Sequence, residues 1–270
     1  MMLPPVAGVI GWPIAHSKSP LIHRFWLGKL GLDGDYSRFP VKPERLGEFL
    51  AALPAMGLRG VNVTVPHKLA VIPHLAACSP AAAAVGAVNT IVVRDDASLW
   101  GHNTDVAGIT EPAASAIAGR AMLLIGSGGA ARAGVAAAKA GNASALWIMA
   151  RNAAAAQALL DSSGLPGGVI AMETPVPNDI GLLFNATTLG MAGQPALTLD
   201  LGPLPTDAVV FDAVYAPLDT PLLAAARARG LTTIDGLAML IGQAAAAFRL
   251  FFGADAPRQH DDELRSLLTQ

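Results

Sequence analysis

The sequence has 270 residues, enough for one large domain or two ordinary ones. Hydrophobic residues make up 53% and charged residues 14%, which excludes an intrinsically disordered chain. Eighteen basic against 20 acidic residues leave a net charge of −2, which points away from nucleic acid and anionic membrane, and the single cysteine, Cys78, excludes an intramolecular disulfide and a thiolate metal cluster.

Strand-like and helix-like segments alternate along the chain. Val6 to Ile10 is a short apolar strand stopped by Gly11 and Pro13. Pro20 to Lys29 predicts a helix, with Ser19 as N-cap and Pro20 in the first turn. Tyr36 to Val41 predicts a second strand, Pro43 to Leu53 a second helix and Gly60 to Val65 a third strand, after which Pro66 is expected to open another helix. The mean hydropathy of +0.47 requires that a membrane span be tested. Val71 to Val93 carries no Asp, Glu, Lys or Arg, but Pro73, His74, Pro80, Gly86 and Asn89 interrupt it, and alanine inflates the score. No secretory signal is visible, and a soluble, cytoplasmic protein is expected. Ala87 to Val93 and Ser98 to His102 are expected to pair around a turn at Arg94 to Ala97.

A second series starts near Thr104. Asp105 to Ala118 predicts a helix, Ala121 to Ile125 a buried strand and Ala130 to Ala140 a helix. A strand at Ala145 to Met149 and a helix at Ala153 to Leu160 follow. Further strands are expected at Leu182 to Asn185, Val209 to Asp212 and Thr232 to Ile234, and a long helix from about Leu237 to Phe252. The proline-rich stretches Pro166 to Pro177 and Pro195 to Pro205 read as ordered surface loops. The alternation predicts an α/β protein with a largely parallel sheet and helices on both faces.

Leu123 to Arg132 reads LLIGSGGAAR, a strand, then Gly126-x-Gly128-x-x-Ala131, then a helix. Gly126 permits the tight turn, Gly128 lets backbone approach a pyrophosphate, and Ala131 allows close helix–strand packing. The helix N-terminus adds N–H groups and positive dipole. An ordinary strand–helix turn has the same outline, so the context carries the inference. Arg151 follows the next strand, 20 residues beyond Ala131, where an NAD-preferring fold would place Asp or Glu. An arginine fork suits a 2′-phosphate, so NADP is the expected cofactor; a solvated arginine at a strand end is the plain alternative.

Gly11 to His23 reads GWPIAHSKSPLIH. Ser17 and Ser19, two residues apart, face the same way in extended backbone and suit an acceptor-only carboxylate. GVNVTVPHK at Gly60 to Lys68, AVNT at Ala87 to Thr90 and GHNTD at Gly101 to Asp105 come next. Together with GSGGAA, NATTLGM at Asn185 to Met191, DAVYAPLDTPLL at Asp212 to Leu223 and DGLAMLIGQAAAAF at Asp235 to Phe248, these stretches resemble the shikimate dehydrogenase family, in order and over nearly the whole chain.

The resemblance implies NADPH-dependent reduction of 3-dehydroshikimate to shikimate, in aromatic amino-acid biosynthesis. It implies that Lys68 is the catalytic lysine and Asp105 its partner. It implies that Ser17 and Ser19 hold the substrate carboxylate, and that Thr64, Asn89, Tyr215 and Gln243 bind substrate. It further implies that Gly126, Ser127, Gly128, Gly129, Ala130 and Arg151 bind NADP, and that Thr187 and Met239 line the dinucleotide pocket. The residue types suit the chemistry: an ammonium can stabilise a developing alkoxide and give it a proton. Whether Asp105 orients that lysine, holds a substrate hydroxyl, or does both stays open, and it also reads as a helix N-cap or first-turn acid. Asn62 and Asn89 equally read as partners of backbone groups at strand ends, and Gln243 as an amide paired to backbone.

Five positions depart from the family pattern: Arg24 and Ala216 where asparagine is usual, Ala150 and Asn152 in ARN in place of NRT around Arg151, and Ala238 before Met239. The asparagine and threonine lost around Arg151 weaken the expected grip on the 2′-phosphate, and none of the departures touches Lys68 or Asp105. The six histidines show no metal-ligand spacing, so no metal is expected. The expected organisation is two-lobed. Residues 1–104 form an α/β substrate domain completed by the C-terminal helix at 238–270, and residues 105–237 form a Rossmann-type NADP domain. A monomer or homodimer acting on a small molecule is expected, with no nucleic acid or membrane partner. The alternatives are a relative acting on quinate or an aminated analogue or using NAD, a ligand-sensing domain without chemistry, and a dinucleotide-binding structural subunit.

Overall fold

Val6–Gly11 forms the first strand, β1, and its alternation decides the packing around it. Ala7 and Val9 face one layer with Tyr36, Ala247 and Phe251, and Ile10 faces the other with Leu50, Val61 and Ile91. The computed structural model describes residues 4–270. These divide into two compact units, one running up to Thr104 and including Gln243–Gln270, the other Asp105–Gly242.

In the first unit, α1 (Ser19–Leu30), β2 (Asp35–Pro40), α2 (Leu46–Ala52) and β3 (Leu58–Val63) follow β1. Then come β4 (Ala77–Cys78), α3 (Pro80–Val85), β5 (Thr90–Val93) and β6 (Leu99–His102). The sheet order is β2-β1-β3-β5-β6-β4. It is mixed rather than largely parallel, because β5 runs antiparallel to both β3 and β6. The β5–β6 hairpin closes at the expected turn, with Arg94 N–H donating to the Ser98 carbonyl at 2.9 Å. The uncharged stretch from Val71 is cut into β4, α3 and β5, and no helix among the described residues is long and apolar enough to cross a membrane.

Two expectations in this unit are corrected. Ser19 is not the N-cap of α1: Lys18 is, without a side-chain cap, and Ser19 is the first helical residue, its N–H donating to Ser17 Oγ at 3.3 Å. Pro66 opens no helix. It follows a cis peptide from Val65, and the chain turns irregularly until a 3-10 turn at Ile72–His74. Proline suits a tight turn as well as a first helical turn, and here His67 is buried with Nε2 2.8 Å from the Val41 carbonyl, which holds the turn down.

In the second unit, α4 (Asp105–Ile117), β7 (Ala121–Ile125), α5 (Gly129–Ala140), β8 (Ala145–Met149) and α6 (Ala153–Ser163) alternate. They continue with β9 (Gly167–Ile170), β10 (Ile180–Asn185), β11 (Val209–Asp212), α7 (Pro221–Ala228) and β12 (Thr232–Ile234). This sheet is parallel throughout, in the order β12-β11-β10-β7-β8-β9. The stretch from Pro166 is therefore not all loop, because β9 closes the sheet edge against β8. Along β7, Met122 and Leu124 face one layer, and Leu123 and Ile125 the other.

The alanine content has a structural cause. α5 presses Ala131, Ala133, Ala137 and Ala138 onto the sheet, and a Cβ on Gly134 would stand 2.9 Å from Leu124 Cδ1. Small residues let helix and sheet approach closely. α8 (Gly236–Phe252) spans the division between the units, and α9 (Asp261–Leu268) ends the chain. In the first unit, α9 is tied to α1 by a Lys29–Glu263 ion pair of 2.6 Å and by Lys18, whose ammonium donates to the Leu268 carbonyl.

Candidate active site

In the first unit, the backbone gathers the predicted substrate residues at one end of the sheet. Thr64 follows β3, and its N–H donates to the Ile10 carbonyl at 3.0 Å, beside the end of β1. Val63 N–H donates to the Asn89 carbonyl at 2.7 Å, and Val88 N–H to the Lys68 carbonyl at 2.9 Å. Thr64, Lys68 and Asn89 thus converge where β1 and β3 end and β5 begins, the edge at which open α/β sheets bind ligands. Gly11 makes this convergence possible, because a Cβ there would stand 2.6 Å from Thr64 Cγ2.

Ser17 and Ser19 lie in the segment leaving β1, with their hydroxyls 3.3 Å apart and Ser19 buried. Arg38 Nε donates to the Ser17 carbonyl at 3.0 Å and fixes that segment to β2. Lys68 is half-buried on the turn that His67 anchors. Asn89 is buried and accepts from Thr104 N–H at 2.7 Å while its amide donates to Thr104 Oγ1 at 3.0 Å. Thr104 ends the first unit and Asp105, buried, opens α4 in the second as a first-turn acid. Gln243 is half-buried on the first-unit portion of α8.

Sequence reasoning left Tyr36, Thr90 and Thr104 out of this site and gave Asn62 only a backbone role. Their side chains form a buried network with Asn89. β3 is buried continuously from Gly60 to Val63, so Asn62 is a polar residue between two buried valines, and its place in that apolar run was the available signal.

In the second unit, β7 ends at Ile125 and Gly126 takes a φ of +110°, a conformation that favours glycine. A Cβ on Gly126 would stand 2.8 Å from Thr187 Cγ2, so glycine is required by space as well. Gly128 is the N-cap of α5 and supplies no side-chain cap to the first turn. Beyond Gly128 and Gly129 the space is open, with nothing within 4 Å of an added Cβ. Ser127 and Ala130 are partly exposed beside them. Uncapped N–H groups facing open space beside close-approach glycines fit a dinucleotide pyrophosphate.

Arg151 is exposed, two residues beyond β8, in an open groove of about 420 Å³ shared with Ala153, Val169, Met172 and Glu173. Asn152 caps α6, accepting from Ala155 N–H at 3.0 Å, so the departure from threonine keeps a helix cap. Thr187 is held from within: its hydroxyl donates to Asn185 Oδ1 at 2.7 Å and accepts from Leu189 N–H at 3.1 Å. Asn185 in turn donates to the buried Asp212 at 2.9 Å, which also accepts from Thr220 at 2.8 Å. Burial pushes the Asp212 carboxyl up from its ordinary value, and these hydrogen bonds oppose that. Tyr215 is half-buried, its phenol pushed up by burial. Met239 packs partly buried against the core that includes α4 and α5. Among the described residues, no three His, Cys, Asp or Glu side chains gather as a metal-ligand set.

Comparison with known proteins completes the picture. The family model for the shikimate dehydrogenase substrate binding domain matches residues 9–91, and that for the shikimate 5′-dehydrogenase C-terminal domain matches residues 236–261. A shikimate dehydrogenase (NADP(+)) of Sphingopyxis alaskensis is 52% identical over 98% of this chain and 97% of its own length. The crystal structure of shikimate 5-dehydrogenase from Thermus thermophilus with NADP(H) and shikimate superposes with a TM-score of 0.87, at 36% identity over 98% of this chain and 99% of that one. The ligand-free 5-ketofructose reductase of Gluconobacter sp. strain CHM43 superposes with a TM-score of 0.93, at 28% identity over 99% of this chain and all of that one.

Proposed function

This chain belongs to the shikimate dehydrogenase family, and from that premise we propose that it interconverts 3-dehydroshikimate and shikimate with NADP(H). One observation carries the reading: the first unit holds Ser17, Ser19, Thr64, Lys68 and Asn89 on the segments that converge at the ends of β1 and β3 and the start of β5. A carboxylate for the two serines and ring hydroxyls for the threonine and asparagine describe a small hydroxylated acid.

Bound NADPH supplies the hydride. The chain must place the substrate so that hydride donor and acceptor carbons come within about 3–3.5 Å. As hydride adds to the carbonyl carbon, the C=O electron pair moves to oxygen, which takes a proton. We assign that proton to the Lys68 ammonium, which also stabilises the growing negative charge. Asp105 is assigned to orient that lysine, to hold the neighbouring hydroxyl, or both. Gly126, Ser127, Gly128, Gly129 and Ala130 would hold the pyrophosphate on α5, Arg151 the 2′-phosphate, and Thr187 and Met239 would flank the dinucleotide. Tyr215 and Gln243 are assigned to the substrate. A biosynthetic NADPH-linked step and one unpaired cysteine support a reducing, cytoplasmic setting.

The test follows reduced-nicotinamide absorbance with shikimate or quinate against NADP⁺ and NAD⁺, and with 3-dehydroshikimate or 5-ketofructose against NADPH. Turnover confined to shikimate, 3-dehydroshikimate and NADP(H) is expected. Turnover of quinate, of 5-ketofructose or with NAD⁺ alone would reassign the specificity. Shikimate binding with no turnover would make the chain a ligand sensor.

A further inference from the structure

Tyr36 lies fully buried in β2, and none of the chemistry above uses it. Its ring stacks on His23 with centroids 4.0 Å apart and planes 4° from parallel, so packing fixes where its hydroxyl sits. That hydroxyl donates to Asn62 Oδ1 at 2.6 Å. Burial pushes the phenol up, and the neighbouring Ser19 side chain opposes that.

The phenol therefore stands between two groups of proposed substrate ligands. On one side Ser17 Oγ donates to Ser19 Oγ at 3.3 Å. On the other, the Asn62 amide donates to Thr90 Oγ1 at 2.9 Å and to the Asn89 carbonyl at 3.3 Å. Thr90 Oγ1 then donates to Asn89 Oδ1 at 3.0 Å. Every atom of this chain of contacts belongs to the first unit.

The direction of donation matters. Ser17 gives to Ser19, and Tyr36 gives to Asn62. A carboxylate only accepts, so binding one at the serines requires their protons to turn toward it. A buried phenol beside Ser19 can let that hydroxyl turn and still hold Asn62 through the change.

We propose that Tyr36 is a positioning residue for the hydroxy-acid substrate, setting the Ser19 rotamer at the carboxylate end and the Asn62 amide, and through it Asn89, at the hydroxyl end. The proposal rests on the function argued above.

The test compares wild type, Tyr36→Phe, Ser19→Ala and the double variant. Phenylalanine keeps the ring and its stacking and removes the hydroxyl. The shikimate KM of Tyr36→Phe should rise about tenfold, the scale of one or two lost buried hydrogen bonds, with kcat within about threefold and the NADP⁺ KM unchanged. If Tyr36 acts partly through Ser19 and partly through Asn62, adding Tyr36→Phe to Ser19→Ala should raise the shikimate KM by clearly less than Tyr36→Phe raises it in the wild type. An unchanged KM in Tyr36→Phe overturns the proposal, and so does a lowered melting temperature with KM values intact, or a rise in both substrates' KM. Full additivity in the double variant also overturns the coupling. If the wild type neither turns over nor binds shikimate by calorimetry, the function itself fails; wild-type turnover with a Tyr36→Phe enzyme that behaves identically refutes Tyr36 alone.

Discussion

His23 makes the stability of the first unit sensitive to acid. Its imidazole is fully buried, stacked on Tyr36, and ringed by Trp26, Phe248, Phe251 and Phe252. Neither ring nitrogen has a hydrogen-bond partner among the described residues, and burial lowers its pKa from 6.5 to about 3. The unfolded chain therefore takes up a proton near pH 6.5 that the folded chain refuses until about pH 3. The contribution is fully favourable above pH 6.5 and is lost as pH falls toward 3. At about 1.36 kcal/mol per unit, moving from pH 7 to pH 5 crosses roughly 1.5 effective units and costs about 2 kcal/mol. The assay is urea unfolding of wild type and His23→Leu at pH 7, 6 and 5, because taking the difference cancels the other titrating groups. The wild type should lose about 2 kcal/mol relative to the variant over that range. A difference that stays constant with pH would refute the argument and show that the folded imidazole is protonated or solvated.

Three further outcomes are expected. Gly126→Ala forces a Cβ into a φ of +110° and to 2.8 Å from Thr187 Cγ2; about 1–3 kcal/mol of stability should be lost and the NADPH KM raised at least about tenfold, read by thermal unfolding and initial rates. Lys68→Ala should lower kcat by roughly 10²–10⁴-fold while calorimetry still detects shikimate, since the loss lies in proton transfer. Arg151→Ala should raise the NADPH KM by about tenfold or more and leave the NADH KM in place, as expected for a charge-assisted contact made to the 2′-phosphate alone.

Periodicity was enough to find the strands of the second unit's core. Val209–Asp212 and Ala121–Ile125 stand where their apolar runs predict. β9 escaped because its GGVI sequence has two glycines and follows a proline, and such a strand forms only because β8 offers it an edge. The misplaced cap at Ser19 has a similar cause. Serine before proline is a cap signal, yet here Ser17 claims the side chain that would have capped α1. The GSGGAA loop was legible because one short segment contains its own geometry. The substrate residues were legible only as separate motifs, since Thr64, Lys68 and Asn89 meet through the pairing of β3 with β5, and no local pattern specifies which strands pair. Tyr36 was invisible for the same reason: a buried tyrosine on a strand is ordinary until its hydroxyl's partners are known.

The first unit is interrupted in sequence. Its aromatic layer takes His23, Trp26 and Tyr36 from the beginning of the chain and Phe248, Phe251 and Phe252 from near the end. On the ribosome, the second unit, Asp105–Gly242, is synthesised whole before those phenylalanines are made. The face that includes His23 and Tyr36 must wait, uncovered, for more than half the chain to be translated. Throughout that synthesis the first-born half lacks the aromatic cover that completes it, so the first unit closes only when the chain is nearly finished.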